Sequence, residues 1–187
     1  MDIVFVRHGH GEHLLDYPNQ LNTLHPGLTS QGEDQVNQLR GRLTIVADDL
    51  IIASPTKRTI QTARILTGSN RFYVSPLVGP RMFPQNPEFP ELVCDRIYSK
   101  DELGALFDNI EILDLGLDCW NGEMNRMEQP RFEEYAKQLL EWCREMVERV
   151  VIVAHDGTIQ SYRMLLGEHG LTRKDFLGEA GVYRMQI

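Results

Sequence analysis

The chain has 187 residues, 42% of them hydrophobic, and its 27 acidic against 19 basic side chains leave a formal charge of −8. That length fits one domain with a full core. The acidic balance argues against nucleic acid or membrane as a partner, since proteins binding such surfaces carry a basic face. A small anionic ligand is not excluded, because a local cluster of cations suffices for it. Cys94, Cys119 and Cys143 are scattered, odd in number and without a CxxC pair. They fit a reducing compartment better than a disulfide framework or a zinc ribbon. No basic segment followed by a long apolar stretch is visible at the start, and no run is long enough to span a bilayer. The expected location is cytoplasmic.

The first element is Ile3-Val4-Phe5-Val6, a short apolar run suited to a strand buried on both faces. It stops at Arg7-His8-Gly9. The glycine is expected to let backbone approach a bound group. Residues 9–28 read as a long loop, and a loop of that length in a compact domain is usually functional. Ser30 with Glu33 forms a capping-box signature, followed by Val36, Leu39 and Leu43 at helical spacing. Residues 48–53 give a second strand. Ser54-Pro55 is expected to open the next helix, with Ser54 as N-cap, Pro55 at the first position and Arg58 off the buried face of Ile60, Ala63 and Leu66.

A third strand covers residues 72–74. Residues 76–99, with Pro76, Pro80, Pro84, Pro87 and Pro90, form an irregular excursion. Ser99 with Glu102 signals a short helix, and residues 108–128 show no decisive pattern. A long helix starts at Pro130, with Phe132, Tyr135, Leu139, Trp142 or Cys143, and Met146 expected on its buried face. Residues 150–154 are a fourth strand running into His155-Asp156-Gly157. A helix to about Leu166, a short helix capped by Thr172 with Asp175, and a closing strand from Val182 complete the chain. Strands alternating with helices predict a three-layer α/β/α sandwich around a mostly parallel sheet. Residues 1–187 are expected to form one domain, with 76–128 as an irregular cap.

Arg7-His8, Ser54 to Arg58 and His155-Asp156 each follow an apolar strand, so they can meet at one sheet edge, where α/β folds bind ligands. Two arginines and two histidines suit a tetrahedral dianion. Arginine binds phosphate oxygens with a planar fork, and histidine can act as a covalent nucleophile.

In order along the chain, Arg7-His8-Gly9, Leu28-Thr29-Ser30-Gln31-Gly32-Glu33-Asp34-Gln35, Ser54-Pro55-Thr56-Lys57-Arg58-Thr59-Ile60-Gln61-Thr62-Ala63 and Ala154-His155 resemble the histidine phosphatase superfamily, also called phosphoglycerate mutase-like. The resemblance implies that His8 becomes phosphorylated, that Arg7, Arg58 and His155 hold the phosphoryl group, and that water then hydrolyses the phosphohistidine. It implies a small phosphorylated substrate and neither cofactor nor metal. Many members carry a glutamate after the third strand as proton donor, whereas Val78 to Pro84 here has no acid. Glu88 and Glu91 are the nearest replacements in the excursion. Asp156 is the other candidate, since a His-Asp pair supplies the donor in the acid-phosphatase branch. Asp156 as a helix cap is the competing reading. Arg81 is a further candidate for binding substrate, or else a solvated loop charge. Cys94-Asp95-Arg96 and the region of Trp120 are similar to a subgroup of mutase-like phosphatases and receive no role. The longer fingerprint that cofactor-dependent mutases carry after Arg-His-Gly is absent, so phosphatase is favoured over mutase.

Two other readings stay open. His8, His10, Glu12 and His13 resemble the H-x-H-x-D-H signature of metallo-β-lactamase-fold hydrolases and could bind zinc. A non-catalytic phosphate-binding module is the second. His25 and His169 are expected at the surface.

Overall fold

β-Branched apolar runs become the centre of one sheet. The computed structural model describes residues 1–68, 71–86 and 88–187; Pro87 of the excursion lies outside them. Among the described residues the strands are β1 (Asp2–Arg7), β2 (Leu50–Ala53), β3 (Phe72–Val74), β4 (Ile110–Ile112), β5 (Arg149–Ala154) and β6 (Val182–Gln186). Their order is β4-β3-β2-β5-β1-β6, parallel except for β6, which runs antiparallel to β1. The central strand β5 pairs on one side with β1, from Arg149 against Asp2 to Ala154 against Arg7, and on the other with β2.

The helices are α1 (Ser30–Arg40), α2 (Lys57–Thr67), α3 (Lys100–Leu106), α4 (Gln129–Met146) and α5 (Asp156–Leu165). Val36, Leu39, Ile60, Ala63 and Leu103 pack with Val4, Val6, Ile51 and Val153 on one face. Phe132, Leu139, Ile159 and Tyr162 pack with Ile3, Phe5, Ile52 and Ile152 on the other. Alternate strand residues thus feed opposite cores, and burial on both faces explains why these strands lack polar alternation. The fold is the expected α/β sandwich. On α4, Phe132 and Leu139 are buried as expected, but Met146 is 55% exposed because the helix ends there. The undecided stretch 108–128 supplies β4, an edge strand parallel to β3.

Two helix starts lie away from the residues their sequence suggested. The N-cap of α1 is Thr29, whose hydroxyl accepts from the Gly32 amide at 3.1 Å, so Ser30 is already helical. Thr29→Ala is expected to cost about 1 kcal/mol, and Ser30→Ala less than about 0.5 kcal/mol. Urea unfolding of the two variants checks this, and the reverse ranking would return the cap to Ser30. In α2 the N-cap is Thr56 rather than Ser54. The Ser54 hydroxyl is taken by His155, which follows the neighbouring β5, 2.9 Å away. The box at Ser99 and Glu102 forms as expected, and so does that at Thr172 and Asp175.

Two glycines are needed for close packing. A Cβ on Gly9 would stand 2.5 Å from the Gly32 carbonyl oxygen, and one on Gly32 would stand 2.1 Å from that of His10. Gly9 therefore admits the first turn of α1, where the sequence suggested a ligand. The start of α1 thereby holds the loop after β1 in place.

Candidate active site

β1, β5 and β2 are adjacent and parallel, so the residues after them emerge at one edge. The His8 amide donates to the Ala154 carbonyl at 3.2 Å, and its carbonyl accepts from Ala180 at 3.0 Å. These bonds tie the backbone of His8 to the end of β5 and to the turn before β6. His8 is 3% exposed, and its Nδ1 lies 2.7 Å from the Gly9 carbonyl oxygen. A carbonyl only accepts, so Nδ1 carries the proton and Nε2 presents its lone pair.

Arg58, the second residue of α2, is 1% exposed. Its Nε donates towards His8 Nε2 at 3.4 Å, and its Nη2 lies 3.3 Å from His155 Nδ1. Nη1 donates to the Cys94 carbonyl at 2.7 Å, and Nη2 pairs with Asp95 Oδ1 at 3.1 Å. Every nitrogen of this fork is thus engaged. A guanidinium only donates, so His155 Nδ1 accepts and Nε2–H points to Ser54 Oγ. The rings of His8 and His155 are 5.2 Å apart.

Arg7 completes the cluster from the end of β1. It donates through Nη1 to the Leu177 carbonyl at 2.5 Å, and its Nη2 pairs with Asp156 at 3.2 Å and Glu179 at 3.7 Å. Its Nε is buried without a hydrogen-bond partner among the described residues. An unpaired buried donor is costly, and an anion oxygen is the kind of group that would relieve it. Asp156 therefore holds Arg7, while its Oδ1 accepts from the Gly157 amide at 2.7 Å. It is the first residue of α5, whose N-cap is His155.

Burial is the main reason that the pKa of His8 and of His155 lies well below the ordinary value, and the Arg58 charge pushes the same way. His13, with its ring 5.8 Å from that of His8, is pushed down to about 3 by burial, then by Arg58 and Arg7. All three are neutral at pH 7. The unfolded chain binds these protons near pH 6.5, while the folded state refuses them. Stability therefore falls as pH drops below about 6.5, for His13 down to about pH 3. His13→Gln is expected to flatten this fall by up to about 1.4 kcal/mol per pH unit. Thermal unfolding from pH 7 to 4 measures it; parallel curves for variant and wild type would refute the buried neutral His13.

Other expected site residues lie elsewhere. Arg81 is not a solvated loop charge: it is buried, and its Nε has no hydrogen-bond partner among the described residues. Its guanidinium is buried over the Phe132 ring at 4.2 Å and donates to the carbonyls of Met124 and Met127 and to Gln129. It anchors the chain before α4. Glu88 and Glu91 are exposed. The zinc cluster does not form: His10 Nδ1 is 3.0 Å from Thr29 Oγ1, and Glu12 accepts from the Gly27 amide at 2.6 Å. Among the described residues no three metal-binding side chains gather. His169 is exposed, but His25 is half-buried, its ring stacked on Tyr98 at 3.9 Å. The cysteines are free and buried, and no helix of the described residues is long and apolar enough to cross a membrane.

Asp95, which no motif singles out, grips Arg58. Its other oxygen accepts from Asn125 Nδ2 at 3.2 Å. An acid beside a buried cysteine in a proline-rich excursion carries no local signal of this. The nearest hint was its place in that excursion, where a replacement for the missing acid was expected.

The model of the histidine phosphatase superfamily (branch 1) matches residues 3–78, the part that carries Arg7, His8 and Arg58. No curated protein matches the chain. Among solved structures, the ecdysone phosphate phosphatase of Bombix mori, in complex with tungstate, is 13% identical, with a TM-score of 0.66 over 99% of this chain and 88% of that one. A phosphoserine phosphatase of Entamoeba histolytica in complex with phosphoserine is 20% identical, with a TM-score of 0.61 over 98% and 89%. A phosphoglycerate mutase of Thermus thermophilus is 18% identical, with a TM-score of 0.54 over 98% and 92%. At these identities the likeness is one of fold.

Proposed function

We propose that this chain, which has the fold and the N-terminal signature of the histidine phosphatase superfamily, is a metal-independent phosphomonoesterase. His8 Nε2 attacks phosphorus and forms a phosphohistidine. Arg7, Arg58 and His155 hold the phosphoryl oxygens, and water then releases phosphate. Phosphoryl transfer needs mainly positioning and neutralisation of the equatorial oxygens, and two guanidinium forks supply both.

The observation that carries this reading is the lone pair of His8 Nε2 facing Arg58 Nε at 3.4 Å, in a site where burial keeps the imidazole neutral. A protonated histidine could not attack. The buried, unpartnered Nε of Arg7 supports an anion as ligand. The phosphatases among the similar folds favour hydrolysis over mutase chemistry. We take the substrate to be a small phosphorylated molecule, and residues 76–128, in one domain with the rest, to shape its entry through Asp95 and Asn125.

The test is hydrolysis of p-nitrophenyl phosphate from acid to neutral pH with a chelator present, with an alkaline denaturing quench to trap phosphoenzyme formed from a radiolabelled phosphomonoester. Chelator-resistant turnover with an acid-labile, base-stable label on His8 is the expected result. Activity that returns only with added metal would overturn it. So would vanadate binding without any product, which would leave a phosphate-binding module.

A further inference from the structure

We propose that Asp95 is the proton donor to the leaving oxygen, an assignment that rests on the phosphatase reading. The stretch after β3 from Val78 to Pro84 holds no acid, so an alkoxide leaving there would need its proton from elsewhere. Asp95 ends a 3-10 turn (Val93–Asp95) that folds back over the start of α2. Its carboxyl stands one guanidinium away from the nucleophile. Arg58 Nη2 bonds Asp95 Oδ1 at 3.1 Å, and Nε of the same fork reaches His8 Nε2 at 3.4 Å. The Asp95 side chain is still 22% exposed, so a ligand held by Arg58 can reach it.

Asp156 has one oxygen on Arg7 and the other on the Gly157 amide, as Asp95 has one on Arg58 and the other on Asn125; what singles out Asp95 is that its guanidinium is the one whose Nε reaches His8 Nε2. Glu179 faces Arg7, and Glu12 closes its own loop on Gly27. The groups facing Asp95 are Arg58 from α2, Asp156 from α5, Asn125 from the turn before α4 and the neighbouring Cys94 thiol. Burial and the Asp156 charge favour its protonated form, while Arg58 and Asn125 oppose it, and the net direction is upward. A raised carboxyl beside a phosphate clamp is suited to general acid catalysis.

In the first step the N–P bond forms at His8 as the P–O ester bond breaks. The Asp95 proton passes to the departing oxygen, leaving a carboxylate. In the second step that carboxylate takes a proton from the attacking water as the new P–O bond forms and the N–P bond breaks, which restores the acid.

Leaving groups distinguish donation from mere support of Arg58. p-Nitrophenolate departs without a proton, whereas the alkoxide of glycerol 2-phosphate does not. Asp95→Asn is expected to lower kcat on glycerol 2-phosphate by about 10²-fold or more, and on p-nitrophenyl phosphate by less than about tenfold. Asp95→Glu, which keeps a carboxyl, is expected to recover most of the alkyl activity, and it carries the test if the Asn variant fails to fold. Equal losses on both substrates, or an inactive Glu variant that folds and binds vanadate, would reduce Asp95 to a positioning residue and overturn the proposal. A selective alkyl loss in Asp156→Asn instead would move the donor to Asp156. Wild type inactive on both substrates would be the failure of the phosphatase reading itself, and the donor assignment would fall with it.

Discussion

Replacing His8 by alanine is expected to lower kcat for p-nitrophenyl phosphate by about 10⁴-fold or more, because it removes the proposed nucleophile of the two-step reaction. The loss should not come from unfolding. The backbone bonds of His8 to Ala154 and Ala180 do not involve the ring. Arg7 and Arg58 keep their other anchors, so the variant is expected to bind phosphate still and to gain thermal stability from it. His8→Gln tests the same point while leaving less of a cavity. Retained turnover in either variant, or turnover that falls only as far as stability does, would exclude His8 as the covalent residue.

The second large effect is expected at Arg58. Its fork engages His8, His155, the Cys94 carbonyl and Asp95 at once. Arg58→Ala removes the cation beside His8 and leaves Asp95 without its ion-pair partner. The expected fall in kcat/KM is about 10³-fold or more, in the range for removing an arginine that stabilises a transferring phosphoryl group. Loss of the buried guanidinium also leaves the Cys94 carbonyl and Asp95 without their donor, which destabilises by about 1–3 kcal/mol. Arg58→Lys separates the two contributions. It keeps a charge but not the planar fork, so it is expected to recover part of the stability and little of the rate. Steady-state kinetics with urea unfolding on both variants would read this, and a lysine variant with near wild-type kcat/KM would show that charge alone suffices.

The same burial that keeps His8 neutral limits the protein in acid. His8, His13 and His155 are held neutral mainly because the folded site desolvates them, with Arg58 adding to the penalty. A bound dianion offsets that penalty by bringing opposite charge among the rings. Ligand and acid tolerance are therefore linked through this cluster, with substrate or phosphate expected to protect the fold most at low pH.

Much of this was determined by the sequence alone, because its signals are local. Apolar β-branched runs set β1, β2 and β5. The position of Arg7 and His8 at the end of β1, of His155 after β5 and of Arg58 in the first turn of the helix that follows β2 brought them to one edge once those strands lay parallel and adjacent. The boxes at Ser99 and Thr172 formed because both partners lie within four residues. Tertiary structure decided whatever depended on distant competitors for the same atoms. Ser54 lost its capping role to His155, which lies 101 residues away. Gly9 accommodates Gly32, and Arg81 turned inward to carbonyls more than 40 residues along the chain. Asp95 joined the site because its turn folds over α2, 37 residues from Arg58 in sequence. Side-chain chemistry told which atoms could do the work, and only long-range packing told which of them were free to do it.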